Sequence, residues 1–171
     1  KLPGNNQIEK FIANSFRNIQ INTTHIIYFD FNDFKPFNDI YGFRQGDRAI
    51  LIFSELLQKR YPKNSFIAHI GGDDFFVGLT DFTFEDVFEL TLDIQNEFKY
   101  SAKNLYSNED KELGYIVSKD RFGTTRNFNL LSVSCAIVEI NCKSNILNFD
   151  DTLNIMKKES KSSKEPVYKV L

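Results

Sequence analysis

The most informative chemistry in the sequence is a pair of glycines followed directly by a pair of aspartates, Gly71-Gly72-Asp73-Asp74. Strand-like runs flank this segment, at 65–68 and 75–79, so it is predicted to form the turn of a β-hairpin. Glycine accepts positive φ without steric cost and lets a ligand approach the backbone closely, and adjacent carboxylates are ligands for hard cations. Such a tip could hold a polyphosphate together with a divalent cation. The same four residues would also serve as a plain turn.

A third carboxylate stands at the end of a predicted central strand. Residues 25–31 carry β-branched and aromatic side chains on both faces, which is typical of a buried strand, and Asp30 lies near its end. An unpaired buried charge is costly, so Asp30 either caps local backbone or binds a ligand. If this strand neighbours the hairpin, Asp30, Asp73 and Asp74 form a cluster whose repulsion favours a bound cation such as Mg²⁺.

The rest of the chain predicts helices alternating with strands around one sheet, an α/β layered domain. One helix follows Pro36 and ends at Gly42 and Gly46, and the next starts at Asp47 and ends before Pro62. Further helices are predicted near 8–16, over 83–102 and from 150 onward, further strands at 130–140 and 167–170, and an exposed β-ribbon within 103–128 with its turn around 123.

Composition narrows the functional classes. The chain has 171 residues and a net charge of −2, which predicts a single domain over 1–171 and gives no basic field for nucleic acid. No apolar run reaches the roughly 20 residues of a membrane-spanning helix. Cys135 and Cys142 lack metal-site spacing and are expected to be reduced thiols in a cytoplasmic domain. The chain starts at Lys1 rather than Met, so an excised piece of a longer protein is expected.

Several blocks, taken in order and with their spacing, resemble the GGDEF family of diguanylate cyclases. A single Gly-Gly-Asp-Asp is weak evidence, whereas ordered blocks along nearly the whole chain are specific. The matching blocks are Leu2-Pro3-Gly4-Asn5, Asp30-Phe31-Asn32-Asp33-Phe34-Lys35, Asn38-Asp39, Gly42, Gly46-Asp47, Gly71-Gly72-Asp73-Asp74-Phe75, Val133-Ser134-Cys135-Ala136-Ile137 and Asp151…Lys158.

The resemblance implies a fold and an activity. The fold is α+β, with a central, mostly antiparallel five-stranded sheet flanked by helices and, in this chain, an extra β-ribbon around 113–129. The activity is the condensation of two GTP molecules into cyclic di-GMP and pyrophosphate by two domains that face each other as a homodimer. The cofactor is Mg²⁺ (or Mn²⁺), and fusion to sensor or phosphodiesterase domains is expected in the full-length protein.

The resemblance also implies residue roles. The metal would be held by Asp30, the backbone carbonyl of Phe31 and Asp74, while Asp73 would activate the attacking 3′-hydroxyl or help hold a second metal. Asn38 and Asp47 would read guanine, since an amide and a carboxylate complement the base edge. The remaining implied substrate contacts are Gly71, Gly72 and Phe34, with Lys35 and Lys158 as mobile cations at the phosphates. For either lysine, a solvated surface position is the alternative.

The chain departs from the family pattern at several positions. Asp74 replaces the usual Glu and shortens the reach by one methylene. Asn32 stands for a common Asp, Phe43 for a common His and Ser162 for an expected phosphate-binding Arg, which Lys161 or Lys164 could replace. The Arg-x-x-Asp product-inhibition motif is absent from 62–65. Two alternatives therefore stay open: a degenerate GTP-binding domain that regulates an attached module, and a related cyclase for another purine.

Overall fold

The secondary structure is that of a helix-flanked sheet. The computed structural model describes residues 2–120, 122–145, 147, 149–163 and 166–170. The helices are α1 (Asn5–Arg17), α2 (Phe34–Tyr41), α3 (Phe43–Arg60), α4 (Phe84–Ala102), α5 (Asn108–Leu113) and α6 (Phe149–Ser160), with a short 3₁₀ turn at Lys103–Leu105. The strands are β1 (Thr24–Asn32), β2 (Phe66–Gly71), β3 (Asp74–Thr80), β4 (Tyr115–Lys119), β5 (Thr125–Asn129), β6 (Ser132–Ile140) and β7 (Val167–Val170).

The main sheet has five strands in the order β2-β3-β1-β6-β7. Neighbouring strands are antiparallel, except that β7 pairs with β6 in parallel. Strands β4 and β5 form a separate antiparallel pair. The predicted fold class, a mostly antiparallel five-stranded sheet with an extra ribbon, is confirmed. The register places the end of β1 beside the hairpin of β2 and β3.

Helices cover both faces of the sheet because β1 is apolar on both faces. On one face, Phe29 packs edge-on against Phe53 of α3, at 5.2 Å between ring centroids, and Phe53 packs against Phe98 of α4 at 4.9 Å. On the other face, Tyr28 belongs to a buried cluster with Met156 of α6 and residues of α1. Large aromatic surfaces buried in this way stabilise the sheet strongly and hold its edges in fixed positions.

Two features differ from the sequence prediction. Helix α3 begins at Phe43 rather than Asp47, so Gly46 lies inside the helix. A Cβ at position 46 would lie 2.0 Å from Asn38 Oδ1, so this glycine allows α2 and α3 to approach closely. Helix α5 was not predicted, although Ser107 accepts a hydrogen bond from the Asp110 amide at 3.2 Å, a capping pattern that is visible in the sequence.

Two simpler predictions concern cysteines and membrane helices. Cys135 is buried and Cys142 is exposed, and both are free thiols. Among the residues that the structure describes, no helix combines the length and the apolar character that crossing a bilayer requires.

Candidate functional site

The glycine-rich hairpin tip has the conformation that its sequence predicts. Strand β2 ends at Gly71, which pairs with Asp74 at the start of β3. Gly71 and Gly72 have φ angles of 140° and 58°, a region that favours glycine. His69 Nε2 lies 2.9 Å from the Gly72 carbonyl oxygen, and its ring stacks on Phe75 at 4.6 Å. The tip is therefore held from below by an aromatic pair while its backbone stays open.

The sheet register brings two carboxylates side by side. Asp30 of β1 is the direct partner of Asp74 of β3, and directly opposed residues of an antiparallel pair share one face of the sheet. Tyr28, two residues before Asp30, donates a hydrogen bond to the Asp74 carboxylate. Burial raises the pKa of the Tyr28 phenol far above its usual range, and the bond to Asp74 adds to the shift. Tyr28 therefore remains a protonated donor that fixes Asp74.

Lys157 of α6 and Lys161, the first residue after that helix, compensate this pair of negative charges. Lys157 Nζ lies 3.0 Å from Asp74 Oδ2 and sits over the Tyr28 ring. Lys161 Nζ lies 2.5 Å from Asp30 Oδ1. Lys161 follows the last turn of α6, and both ammonium groups face the carboxylates.

Two further carboxylates surround this cluster. The pKa of Asp73 is raised, first by burial and then by Asp30 and Asp74, while Lys161 opposes the shift. The pKa of Asp33 is raised by burial, and the backbone amide of Asn129 and Lys161 lower it in part. Asp33 has φ of 59° and precedes the first residue of α2. An acid with a raised pKa beside a cavity is a candidate proton acceptor.

The oxygen atoms at the end of β1 suit a hard divalent cation. Lys161 Nζ contacts Asp30 Oδ1, the Phe31 carbonyl oxygen at 3.4 Å and Asn32 Oδ1 at 3.3 Å. Carboxylate, carbonyl and amide oxygens are the donors that Mg²⁺ and Mn²⁺ prefer, so the donor set fits such an ion. Within the described ranges, no group of three His, Cys, Asp or Glu side chains converges as a ready-made metal site. The fit therefore rests on mixed oxygen donors.

A second part of the site lies between α2 and α3. Asn38 Oδ1 is buried against Gly46 and has no hydrogen-bond partner. Asp47 is exposed one residue after this glycine and lines a cavity of about 870 Å³ together with His69 and Phe75. A buried amide oxygen without a partner is costly unless a ligand supplies a donor. The volume is within the range of small-molecule sites.

A smaller cavity of about 480 Å³ lies on the other side of the hairpin tip. It is lined by Asp73, Phe34 and Lys35 of the main fold and by Arg126 of β5. The Lys35 ammonium lies 2.7 Å from Asp39 Oδ2 and is largely exposed. The ribbon thus borders the site, which the sequence did not indicate.

The structure separates the predicted residues into groups. It brings together Asp30, the Phe31 carbonyl, Asp73 and Asp74 beside Gly71 and Gly72. Lys158 is exposed on α6, one residue beyond Lys157, and the ammonium groups that contact the carboxylates are those of Lys157 and Lys161. Lys164 is outside the described residues. Tyr28 and Lys157 were missed, although Tyr28 shares a strand face with Asp30 and Lys157 has helical spacing to Lys161.

Solved structures share this sheet and hairpin. The active GGEEF domain of a diguanylate cyclase from Vibrio cholerae superimposes with a TM-score of 0.69 at 15% identity, over 99% of this chain and 97% of that one. The GGDEF domain of DgcB from Caulobacter crescentus, solved in complex with c-di-GMP, gives a TM-score of 0.68 at 16% identity, over 99% of this chain and 91% of that one. At these identities the likeness establishes the fold.

The sequence establishes the family. The family model described as "Diguanylate cyclase, GGDEF domain" matches residues 1–120, and the chain belongs to this family. The signaling protein YkoW of Bacillus subtilis (strain 168) is 36% identical over 70 residues, which is 41% of this chain and 9% of YkoW. The chain spans 29% or less of the length of the curated relatives that it matches.

Proposed function

We propose that this domain is a Mg²⁺-dependent diguanylate cyclase that condenses two GTP molecules into cyclic di-GMP and two pyrophosphates when two copies face each other. The observation that carries the proposal is the in-register pair of Asp30 and Asp74, with the ammonium groups of Lys157 and Lys161 against it. Opposed carboxylates are destabilising in a sheet unless cations compensate them, so this arrangement suits a site that binds a divalent ion and phosphates.

The base of GTP binds between α2 and α3. Asn38 Oδ1, which is buried without a partner, accepts a hydrogen bond from the guanine edge. The Asp47 carboxylate accepts hydrogen bonds from the N1–H and N2–H₂ groups of guanine. Adenine has no donor at its C2 position and carries an acceptor at N1, so the same pair disfavours ATP.

The phosphates of GTP lie along the glycine tip. The open backbone of Gly71 and Gly72 lets them approach, and Lys157 and Lys161 bring two cationic groups to them on flexible stems. Lys35, whose ammonium pairs with the exposed Asp39, can turn toward the same phosphates from the side of α2. Phe34 borders this path and packs edge-on against Phe31.

The chemical step is an attack of one nucleotide on the other. The 3′-hydroxyl oxygen of the GTP on one protomer forms a bond to the α-phosphorus of the GTP on its partner, and the bond from that phosphorus to pyrophosphate breaks. The hydroxyl proton passes to Asp73, whose raised pKa suits a proton acceptor. Two such steps close the ring, and holding both reactants in line supplies most of the acceleration.

The residues that would hold the divalent ion are Asp30, the carbonyl of Phe31 and Asp74, with Asn32 Oδ1 adjacent. When bound, Mg²⁺ or Mn²⁺ neutralises negative charge that develops on the phosphates during transfer. Tyr28 keeps the Asp74 carboxylate oriented by donating a hydrogen bond to it. The side chain of Asp74 is shorter than that of Glu, and this bond fixes its position.

Incubation of the purified domain with GTP and Mg²⁺, followed by chromatography for cyclic di-GMP, tests the proposal. Turnover should rise when the domain is fused to a dimerising coiled coil, because the product requires two facing sites. GTP binding without product in the enforced dimer would instead support a regulatory GTP-binding domain. In the full-length protein we propose a cytoplasmic domain coupled to a sensor or phosphodiesterase module.

The base assignment has its own test. Asn38→Ala should lower the preference for GTP over ATP by about tenfold, because one hydrogen bond to a buried site is lost. The measurement is competition of the two nucleotides for the domain in the presence of Mg²⁺. An unchanged preference would reject the role of Asn38, and a large gain for ATP would support a cyclase for another purine.

A further inference from the structure

The ammonium group of Lys161 occupies a cage of oxygen atoms at the end of β1. It lies 2.5 Å from Asp30 Oδ1, 3.4 Å from the Phe31 carbonyl oxygen and 3.3 Å from Asn32 Oδ1. The first two of these oxygens are among those assigned above to the divalent ion. The ammonium group of Lys161 therefore already contacts two of the oxygens that would bind the ion.

We infer that Lys161 is an internal cation that competes with the divalent ion for these oxygens and that GTP removes the competition. The inference rests on the proposed function and deepens it. Because Lys161 must leave before the ion can bind, the domain binds a divalent ion weakly when alone and strongly together with GTP. Lys161 is thus a positioning residue that makes the two ligands arrive as a pair.

The competition follows from distances. Mg²⁺ binds oxygen ligands at about 2.0–2.1 Å, so an ion on Asp30 and the Phe31 carbonyl would lie almost at the place of the Lys161 nitrogen. Two cations cannot share that place, because they repel strongly and the oxygens cannot serve both. Lys157 is 3.0 Å from Asp74 Oδ2, so the other carboxylate of the pair is also engaged by a lysine.

GTP offers Lys161 another partner. The side chain is 46% exposed, and its four-carbon stem lets the ammonium group turn from the carboxylates to phosphate oxygens nearby. The side chain of Lys157 has the same exposure and contacts the other carboxylate of the pair. Phosphates thus take the lysines while the carboxylates take the ion, and every charge keeps a partner. Such an exchange couples the two affinities, and the coupling factor is the same in both directions.

The test is the affinity of the domain for Mn²⁺ without nucleotide, measured by the electron paramagnetic resonance signal of free Mn²⁺. Lys161→Met keeps the stem but removes the charge, and it should bind Mn²⁺ about tenfold more tightly than the natural sequence. Lys161→Gln should tighten binding as well. A gain seen with Gln but not with Met would mean that the new amide oxygen binds the ion, which would overturn the inference.

A matched control separates displacement from general electrostatics. Lys158→Gln removes one positive charge from an exposed position of α6, three residues before Lys161, which is the lysine that contacts Asp30. It should change Mn²⁺ affinity less than about twofold, since exposed charges are screened. Equal gains in the Lys158 and Lys161 variants would overturn the inference, because only overall charge would then matter.

The coupling itself gives a second readout. With a non-hydrolysable GTP analogue present, the natural sequence should gain affinity for Mn²⁺ by about tenfold beyond the analogue's own binding of the ion, and Lys161→Met should gain little. Equal gains in both proteins would contradict the exchange. If the natural sequence makes no cyclic di-GMP but the Mn²⁺ difference holds, the cyclase proposal fails and this inference stands. If the natural sequence makes cyclic di-GMP but its Mn²⁺ affinity equals that of the Lys161→Met variant, the cyclase proposal stands and this inference fails.

Discussion

The two ends of strand β1 carry titratable groups in very different settings. At its start, His25 is paired in register with Glu139 of β6, and the two side chains are 3.4 Å apart with only 1% of the histidine exposed. At its end, Asp30 is paired in register with Asp74, another carboxylate, and a lysine from a helix contacts each of them. The same strand thus buries a complementary pair at one end and opposes two like charges at the other.

This contrast separates a titratable pair that serves the structure from one that serves function. His25 and Glu139 are held by the sheet itself, and neither lines the two cavities described above. The aspartates instead depend on flexible lysines, whose ammonium groups a ligand can replace. Opposed like charges are a cost to the sheet. Proteins keep a destabilising arrangement of this kind mainly at functional sites.

Replacing Asp74 by Ala should have the largest effect on activity, because it removes one of the two opposed carboxylates at the end of β1. Turnover of GTP should fall by at least about 100-fold, since the site loses a group that organises developing charge. The free energy of unfolding should fall by only about 1 kcal/mol, because removal of a carboxylate that opposes Asp30 offsets in part the loss of the Tyr28 hydrogen bond. Assays of cyclic di-GMP and urea titrations measure the two quantities. Asp74→Glu, which keeps the carboxylate, is the control, and unaltered activity of the Ala variant would refute the role of Asp74.

At the opposite end, His25→Ala should act on stability. Truncating a buried side chain leaves a cavity and deprives Glu139 of its neighbour, so the free energy of unfolding should fall by about 2 kcal/mol. Affinity for a GTP analogue should be unchanged at a temperature where the variant is folded. Loss of nucleotide binding in the folded variant would break the distinction between the two ends.

Acid should lower the free energy of unfolding through His25. Burial lowers the pKa of His25 below 6.5, and Glu139 opposes the shift only in part. The unfolded chain therefore takes up this proton before the folded protein does, so the His25 contribution is intact above pH 6.5 and is lost as the pH falls below it. The slope from this group is at most about 1.4 kcal/mol per pH unit. Urea titrations between pH 5 and 8 measure it, and His25→Gln should show a flatter profile. Equal pH profiles for the natural sequence and His25→Gln would show that His25 is not the group responsible for the loss of stability.

The smallest effect on stability should come from Asp73→Asn, which should stabilise the fold, whereas His25→Ala destabilises it. Burial and the neighbouring aspartates raise the pKa of Asp73, so its ionised form costs stability at neutral pH. The neutral amide should raise the unfolding midpoint by about 1–2 °C. Turnover should fall because the proton acceptor is lost. The thermal gain should shrink as the pH falls through the raised pKa of Asp73, because the natural carboxyl then becomes neutral in the folded protein as well. A loss of stability at neutral pH would contradict the proposed cost of the ionised Asp73 carboxylate.

The sequence predicts most of what depends on local pattern. The apolar faces of β1, the glycine turn and the periodicity of α4 each have a direct physical cause, and the structure confirms them. Predictions were wrong where tertiary contacts decide. Gly46 has the local pattern of a helix end, yet it lies within α3, where the lack of a Cβ leaves room for Asn38 of α2.

The lysines in and just after α6 show the same limit at the candidate site. Lys157, Lys158 and Lys161 have the same chemistry, and only the position of the helix over the sheet decides which of them face Asp30 and Asp74. A shift of one residue turns a helical side chain by about 100°, which is enough to move it from the site to solvent. The carboxylates, in contrast, lie at a strand end and a hairpin turn that the sequence marks, so their meeting was predicted on the condition that the two strands are neighbours, and the β1–β3 pairing meets that condition.

The separate ribbon of β4 and β5 has a consequence for engineering. Its two strands pair with each other and form a sheet apart from the main one. Residues can therefore be added to or removed from its turn without shifting the alignment of any central strand. Because Arg126 and Phe122 of the ribbon border the cavity beside Asp73, a fluorophore grafted onto that turn would report directly on what enters there.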